Sequence, residues 1–86
     1  MKLTFTELAW KDYLWFQEND RKILKRINAL IKDAMRMPYE GIGKPERLRV
    51  DLSGYWSRRI NFEHRLVYDA TETELIIISC RFHYRK

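Results

Sequence analysis

Cysteine is nearly absent from this chain: Cys80 stands alone among 86 residues, so neither an internal disulfide nor a cysteine metal cluster can be built. Within the apolar run from Leu75 to Phe82 it reads as a small core residue, not a nucleophile. Two prolines and three glycines leave no linker and no disordered segment, and residues 1–86 are read as one domain. No apolar run approaches the ~18 residues of a membrane span, and the N-terminus lacks the apolar stretch of a signal peptide. A cytoplasmic protein without membrane contact is expected. Gly41 and Gly43 are too few and wrongly spaced for a phosphate cradle, while His64 and His83 lie far apart without acidic neighbours at ligand spacing. Neither a cofactor nor a metal is expected.

Hydrophobic residues make up 45% and aromatics 14%, enough for one core. A chain this small buries only roughly 60 to 65% of its unfolded surface, so any active site lies at the surface. The charge is unbalanced: 17 Lys and Arg against 12 Asp and Glu give +5. Residues 1–43 carry five Lys and three Arg, whereas residues 44–86 carry seven Arg and two Lys. Guanidinium forks match phosphate oxygens, which makes a polyanion the natural partner of the second half.

Apolar spacing separates a helical half from a strand half. Lys2 to Phe5 reads as a short strand, after which Thr6 caps a helix with Ala9, Tyr13 and Phe16 in register and Trp10 and Leu14 widening the stripe. That helix ends near Asn19. Asp20 caps a second, in which Ile23, Ile27, Leu30 and Ala34 recur until Pro38 forbids continuation. From Glu46 the period becomes two, predicting strands over Glu46 to Val50, Trp56 to Asn61, Arg65 to Ala70 and Glu74 to Phe82. The expected fold is α+β: a short N-terminal strand and a two-helix hairpin packed on one face of an antiparallel sheet. Ile76, Ile78, Cys80 and Phe82, with Leu66, Tyr68 and Ala70, are expected to receive the helices. Arg65, Arg81 and His83 are then expected on the opposite face.

Such a platform suits RNA cleavage by internal attack. The 2′-hydroxyl must lose a proton, the departing 5′-oxygen must gain one, and the equatorial oxygens accumulate charge between those events. Glu46, with a reference pKa near 4.3, is a candidate base; His83, near 6.5, is a candidate acid; Arg59 and Arg65 are candidate phosphate ligands. Glu46 has a plainer reading as the surface partner of Arg47 or Arg65, and His83 one as an exposed residue near a terminus. His64 reads as a turn residue, and Tyr55 and Trp56 either stack on a base or cover the sheet edge.

The segments Gly43-Lys44-Pro45-Glu46, Leu52-Ser53-Gly54-Tyr55-Trp56-Ser57-Arg58-Arg59-Ile60, Glu63-His64-Arg65-Leu66-Val67-Tyr68 and Cys80-Arg81-Phe82-His83-Tyr84 resemble the YoeB-type toxins of the RelE superfamily. The resemblance runs from Met1 to Tyr84. It implies a microbial-ribonuclease-like fold and a metal-independent mRNA interferase that cuts messenger in the ribosomal A site. By the same resemblance Glu46 is the general base, His83 the general acid, Arg65 the group that stabilises the phosphorane, Arg59 a phosphate ligand and Tyr84 a substrate-positioning residue. Lys44, Arg49 and Arg58 join Arg59 as RNA-contacting cations, with Arg49 standing where the family commonly has lysine. Homodimerisation and inhibition by a YefM-like antitoxin are also implied, and Arg85-Lys86 extends past the usual end of the family. Two other classes stay open: a ParE-type gyrase-poisoning toxin on the same scaffold, and a non-catalytic basic RNA-binding module.

Overall fold

In the computed structural model, which describes residues 1–49 and 54–83, strand β1 (Lys2–Phe5) leads across Thr6 into helix α1 (Glu7–Asn19). The Thr6 Oγ1 accepts the Ala9 N–H at 3.1 Å and satisfies one of the donors that a helix start leaves open. Asp20 then serves two helices at once. Its backbone N–H donates to the Phe16 carbonyl and closes α1, while its carboxylate accepts the Ile23 N–H at 3.2 Å and opens α2 (Arg21–Arg36). The two helices therefore turn on a single residue, and α2 stops just short of Pro38.

The remaining strands are β2 (Glu46–Arg47), β3 (Trp56–Arg59), β4 (Arg65–Ala70) and β5 (Glu74–Ser79), in a five-stranded sheet of order β1-β5-β4-β3-β2. Neighbours are antiparallel except β1 and β5, which run parallel. The expected α+β architecture is present, with strands shorter than the spacing indicated: β3 stops at Arg59 and β5 at Ser79. β2 likewise stops at Arg47, with Leu48 and Arg49 outside the strand, and only Val50 of its expected span lies outside the described residues. The core gathers Ala9 and Phe16 from α1, Ile27, Leu30, Ile31 and Ala34 from α2, and Leu66, Tyr68, Leu75, Ile77 and Cys80 from the sheet side. Trp56 packs against this core with its ring 4.9 Å from Tyr39, which settles its role as cover.

The inward face of β5 differs from the expected one. Leu75 and Ile77 are fully buried in the core, whereas Ile76 and Ile78 are only half-buried. A bulge explains the exchange. Tyr68 pairs with Ile77 and Val67 with Ser79, so Ile78 is the extra residue that faces no partner on β4. Alternation runs on odd numbers through Ile77 and resumes on an even number at the buried Cys80. Extending the parity of Cys80 backward, as period two alone invites, assigns the wrong face to the strand before the bulge.

Candidate functional site

Register collects the outer face of the sheet. Glu46 pairs with Ser57, Ser57 with Val67, and Val67 with Ser79, while Arg59 pairs with Arg65. Directly paired residues share a face, as do residues two apart on one strand. Since Leu66 and Tyr68 point into the core, Glu46, Arg59 and Arg65 all belong to the side away from the helices. Glu46 stands two strands from Arg65, roughly 10 Å across at the usual strand spacing. It is exposed and makes no ion pair among the described residues, so the surface-pair reading with Arg47 or Arg65 is not realised.

Glu46 reaches its position through Gly43. That residue has φ 80, and a Cβ there would stand 2.6 Å from the Leu30 Cδ2, so a side chain would collide with α2. The Gly43 carbonyl accepts the Arg59 N–H at 2.7 Å, which lays Lys44, Pro45 and Glu46 beside β3. Lys44 and Arg49 are both exposed near this edge.

Arg58 departs from its expected role as an RNA-contacting cation. It pairs with Leu66, faces the helices and is fully buried. Its five N–H groups have five acceptors: Nε donates to Tyr68 Oη at 3.0 Å, Nη1 to Asp33 Oδ2 at 2.6 Å and the Ile42 carbonyl at 3.1 Å, and Nη2 to the Met37 and Glu40 carbonyls at 2.6 and 3.0 Å. The guanidinium thus fastens the loop between α2 and β2 onto the sheet, with nothing left to offer a phosphate. Its bond to Asp33, joined by the Ile42 N–H and Arg36, holds the Asp33 carboxyl at about 2. Burial raises the Tyr68 phenol above its ordinary value, and its Oη donates to the Pro38 carbonyl at 2.6 Å.

His83 is brought to this face by the turn between β3 and β4. The Phe82 N–H donates to His64 Nδ1 at 2.7 Å, and the Phe82 carbonyl accepts the Arg65 N–H at 2.9 Å. Clamped on both sides, Phe82 takes φ 62, a left-handed conformation that a phenylalanine rarely adopts. His83 follows with Nε2 3.4 Å from the Phe62 carbonyl. Arg65 meets it there: Nη1 donates to the Asn61 and His64 carbonyls at 2.7 and 3.1 Å and lies 3.5 Å from the Phe62 carbonyl. Arg81 does not share this surface. Because β5 ends at Ser79, strand alternation no longer applies, and the Arg81 guanidinium stacks 3.7 Å from the ring centre of Trp15 on α1.

His64 is the residue that pattern reading passed over as a turn. It is buried, its ring edge meets Phe16 at 5.0 Å between centres, and its Nε2 lies 3.4 Å from the exposed Glu63 carboxylate. Burial lowers its pKa below 6.5 despite that carboxylate. The neutral ring with Nδ1 bare is the form that accepts the Phe82 N–H. Parity held the signal: His64 is even-numbered, like the inward Leu66.

A cleft of about 440 Å³ opens where these elements meet, lined by Arg26, Arg59, Ile60, Asn61, Phe62 and Arg65. Three arginines line this one depression, beside which stand an exposed imidazole and, across the sheet, an exposed carboxylate. Tyr84, the remaining expected residue, lies outside the described residues.

Residues 5–84 match the family model of the YoeB-like toxin of bacterial type II toxin-antitoxin systems. The chain is 67% identical to Toxin YoeB of Synechocystis sp. over the full length of both. Its fold superposes on the YoeB/ParE toxin from Agrobacterium tumefaciens with a TM-score of 0.94 at 49% identity, covering 98% of this chain and 100% of that one. The Staphylococcus aureus toxin, seen in a heterotetrameric YoeB-YefM toxin-antitoxin complex, aligns at 0.89 with 50% identity and 98% of both chains; the same toxin as a dimer aligns at 0.91, also with 50% identity and 98% of both. The chain belongs to the YoeB-like toxin family of bacterial type II toxin-antitoxin systems.

Proposed function

We propose that this toxin is an endoribonuclease that cuts messenger in the ribosomal A site and so stops translation in the cytoplasm. The observation that carries the reading is the single outer face holding Glu46, Arg59 and Arg65, onto which the doubly anchored Phe82 delivers His83. Glu46, exposed and without an ion pair among the described residues, takes the proton of a 2′-hydroxyl. The 2′-oxygen bonds to phosphorus, the bond from phosphorus to the 5′-oxygen breaks, and His83 gives its proton to that leaving oxygen. Arg65 and Arg59 face the charge that builds on the equatorial oxygens, and Tyr84 is assigned the positioning of substrate by the family resemblance alone. The reaction as written balances with no metal and no redox partner.

A YefM-like antitoxin and a second copy of the chain are the proposed partners, as in the S. aureus toxin, whose YoeB-YefM complex and dimer have this fold. Lys44 and Arg49, exposed beside the outer face, are proposed to contact RNA backbone. Mass analysis of the cut ends tests the chemistry. Internal attack leaves a 2′,3′-cyclic phosphate and a 5′-hydroxyl; a 3′-hydroxyl with a 5′-phosphate would require attack by water and would overturn the assignment of Glu46.

A further inference from the structure

Phe62 is the most exposed large apolar side chain among the described residues, at 96%. Its backbone is nonetheless tightly placed. Asn61 Oδ1 accepts the Glu63 and His64 N–H groups at 2.9 and 2.7 Å, and the His64 carbonyl accepts the Ile60 and Asn61 N–H groups at 3.1 and 3.3 Å. A closed turn thus carries a phenyl ring at its tip. The ring also lines the arginine cleft, while its carbonyl is the point that Arg65 and His83 both approach.

Guanidiniums and an exposed ring answer two parts of a single-stranded nucleotide. Arginines bind the phosphate, and an aromatic face stacks on the neighbouring base whatever its identity. Arg26 on α2 adds a third arginine to the lining, its Nη2 donating to the Arg59 carbonyl at 3.4 Å. Glu63 does not line the cleft; its carboxylate lies near His64. An apolar protein segment would need further apolar lining, and of the other lining residues only Ile60 is apolar, and it is buried.

We propose that Phe62 and Arg26 form a nucleotide subsite next to the scissile phosphate, with Phe62 stacking on a messenger base and Arg26 binding the adjoining backbone phosphate. The inference rests on the reading of this face as the RNA-cutting surface, yet its test needs no cleavage. The probe is a ten-nucleotide single-stranded DNA, which lacks the attacking 2′-hydroxyl, with 2-aminopurine placed at each position in turn.

Quenching at one position by the wild-type chain, lost in Phe62→Ala and kept in Phe62→Trp, is the expected result. Affinity in Phe62→Ala falls about tenfold, within the range for one lost stacking contact. Arg26→Gln weakens binding and lowers the slope of log affinity against log salt by about 0.7, the value for one phosphate on a single strand. Because Phe62 is 96% exposed, the alanine variant keeps the wild-type circular dichroism. Unchanged affinity and quenching in Phe62→Ala overturn the proposal, as does failure of the wild-type chain to bind the probe. Loss of antitoxin binding alone in Phe62→Ala, with oligonucleotide binding intact, assigns the ring to a protein contact and overturns it too. If the probe binds as expected but messenger stays whole on ribosomes, the catalytic reading fails while the subsite stands.

Discussion

Arg58 and Arg59 are consecutive in the chain and lie on opposite faces of the sheet: Arg58 pairs with the inward Leu66, Arg59 with the outward Arg65. The first is fully buried with every donor committed within the protein, and the second lines the open cleft. Two like charges side by side in sequence therefore do different work, and exchanging them should show it.

Arg58→Ala removes the buried partner of Asp33 and leaves the Met37, Glu40 and Ile42 carbonyls without the guanidinium donor. A loss of about 3 kcal/mol or more is expected, as for other broken buried pairs. Arg59→Ala, at an exposed position, should change stability by no more than about 0.5 kcal/mol while weakening RNA binding. Urea unfolding of the two variants checks both values.

The bulge at Ile78 makes a similar contrast on β5. Ile77→Ala opens a cavity in the core and should cost about 2 to 5 kcal/mol. Ile76→Ala, one residue earlier and only half-buried, should cost clearly less. Equal losses would mean that the strand does not sit in the register described.

Helix boundaries were legible in the sequence because their causes are local: Thr6 and Asp20 supply caps, Pro38 forbids continuation, and the α2 stripe repeats without interruption. The strands were legible as strands, and β4 also as a face, with Leu66 and Tyr68 inward as expected, but the face of β5 was not. A bulge is a relation between two strands, and no period within one strand reveals it. The same limit hid the burial of Arg58, since a buried arginine is recognised by its acceptors, three of which come here from a loop some twenty residues away and the others from α2 and β4. Glu46, Arg59 and Arg65 were singled out because reaction chemistry names the residue types needed, and strand register sets them on one face. His64 was passed over because its contribution is a bare nitrogen offered to the Phe82 backbone, a partner with no side-chain signature.

His64 gives the protein a pH dependence with a definite sign. Burial holds the folded imidazole below 6.5, so on acidification the unfolded chain takes up this proton before the folded one does. Its contribution is fully present above pH 6.5 and is lost as the pH falls through the lowered folded value. Asp33 adds a second loss further down, between its ordinary 3.8 and the folded value of about 2. Urea midpoints followed into the acid range should fall in two stages, and His64→Asn should remove the upper one.

The same substitution separates position from packing. The Asn Oδ1 stands near where His64 Nδ1 accepts the Phe82 N–H, whereas His64→Phe leaves that part-buried donor without this acceptor, at a cost of about 1 kcal/mol. Cleavage should survive in His64→Asn to a much greater degree than in His64→Phe, with the difference in kcat because His83 loses its aim. Equal activity in the two variants, both folded, would show that the anchor does not position His83.

Primer extension on a defined messenger in a purified translation system tests the central claim most directly, comparing the wild-type chain with Glu46→Gln and His83→Gln, with and without ribosomes. Cuts at the A-site codon, seen only with ribosomes and lost in both variants, are expected. Intact messenger with the wild-type chain, or cuts undiminished by the two substitutions, would contradict it.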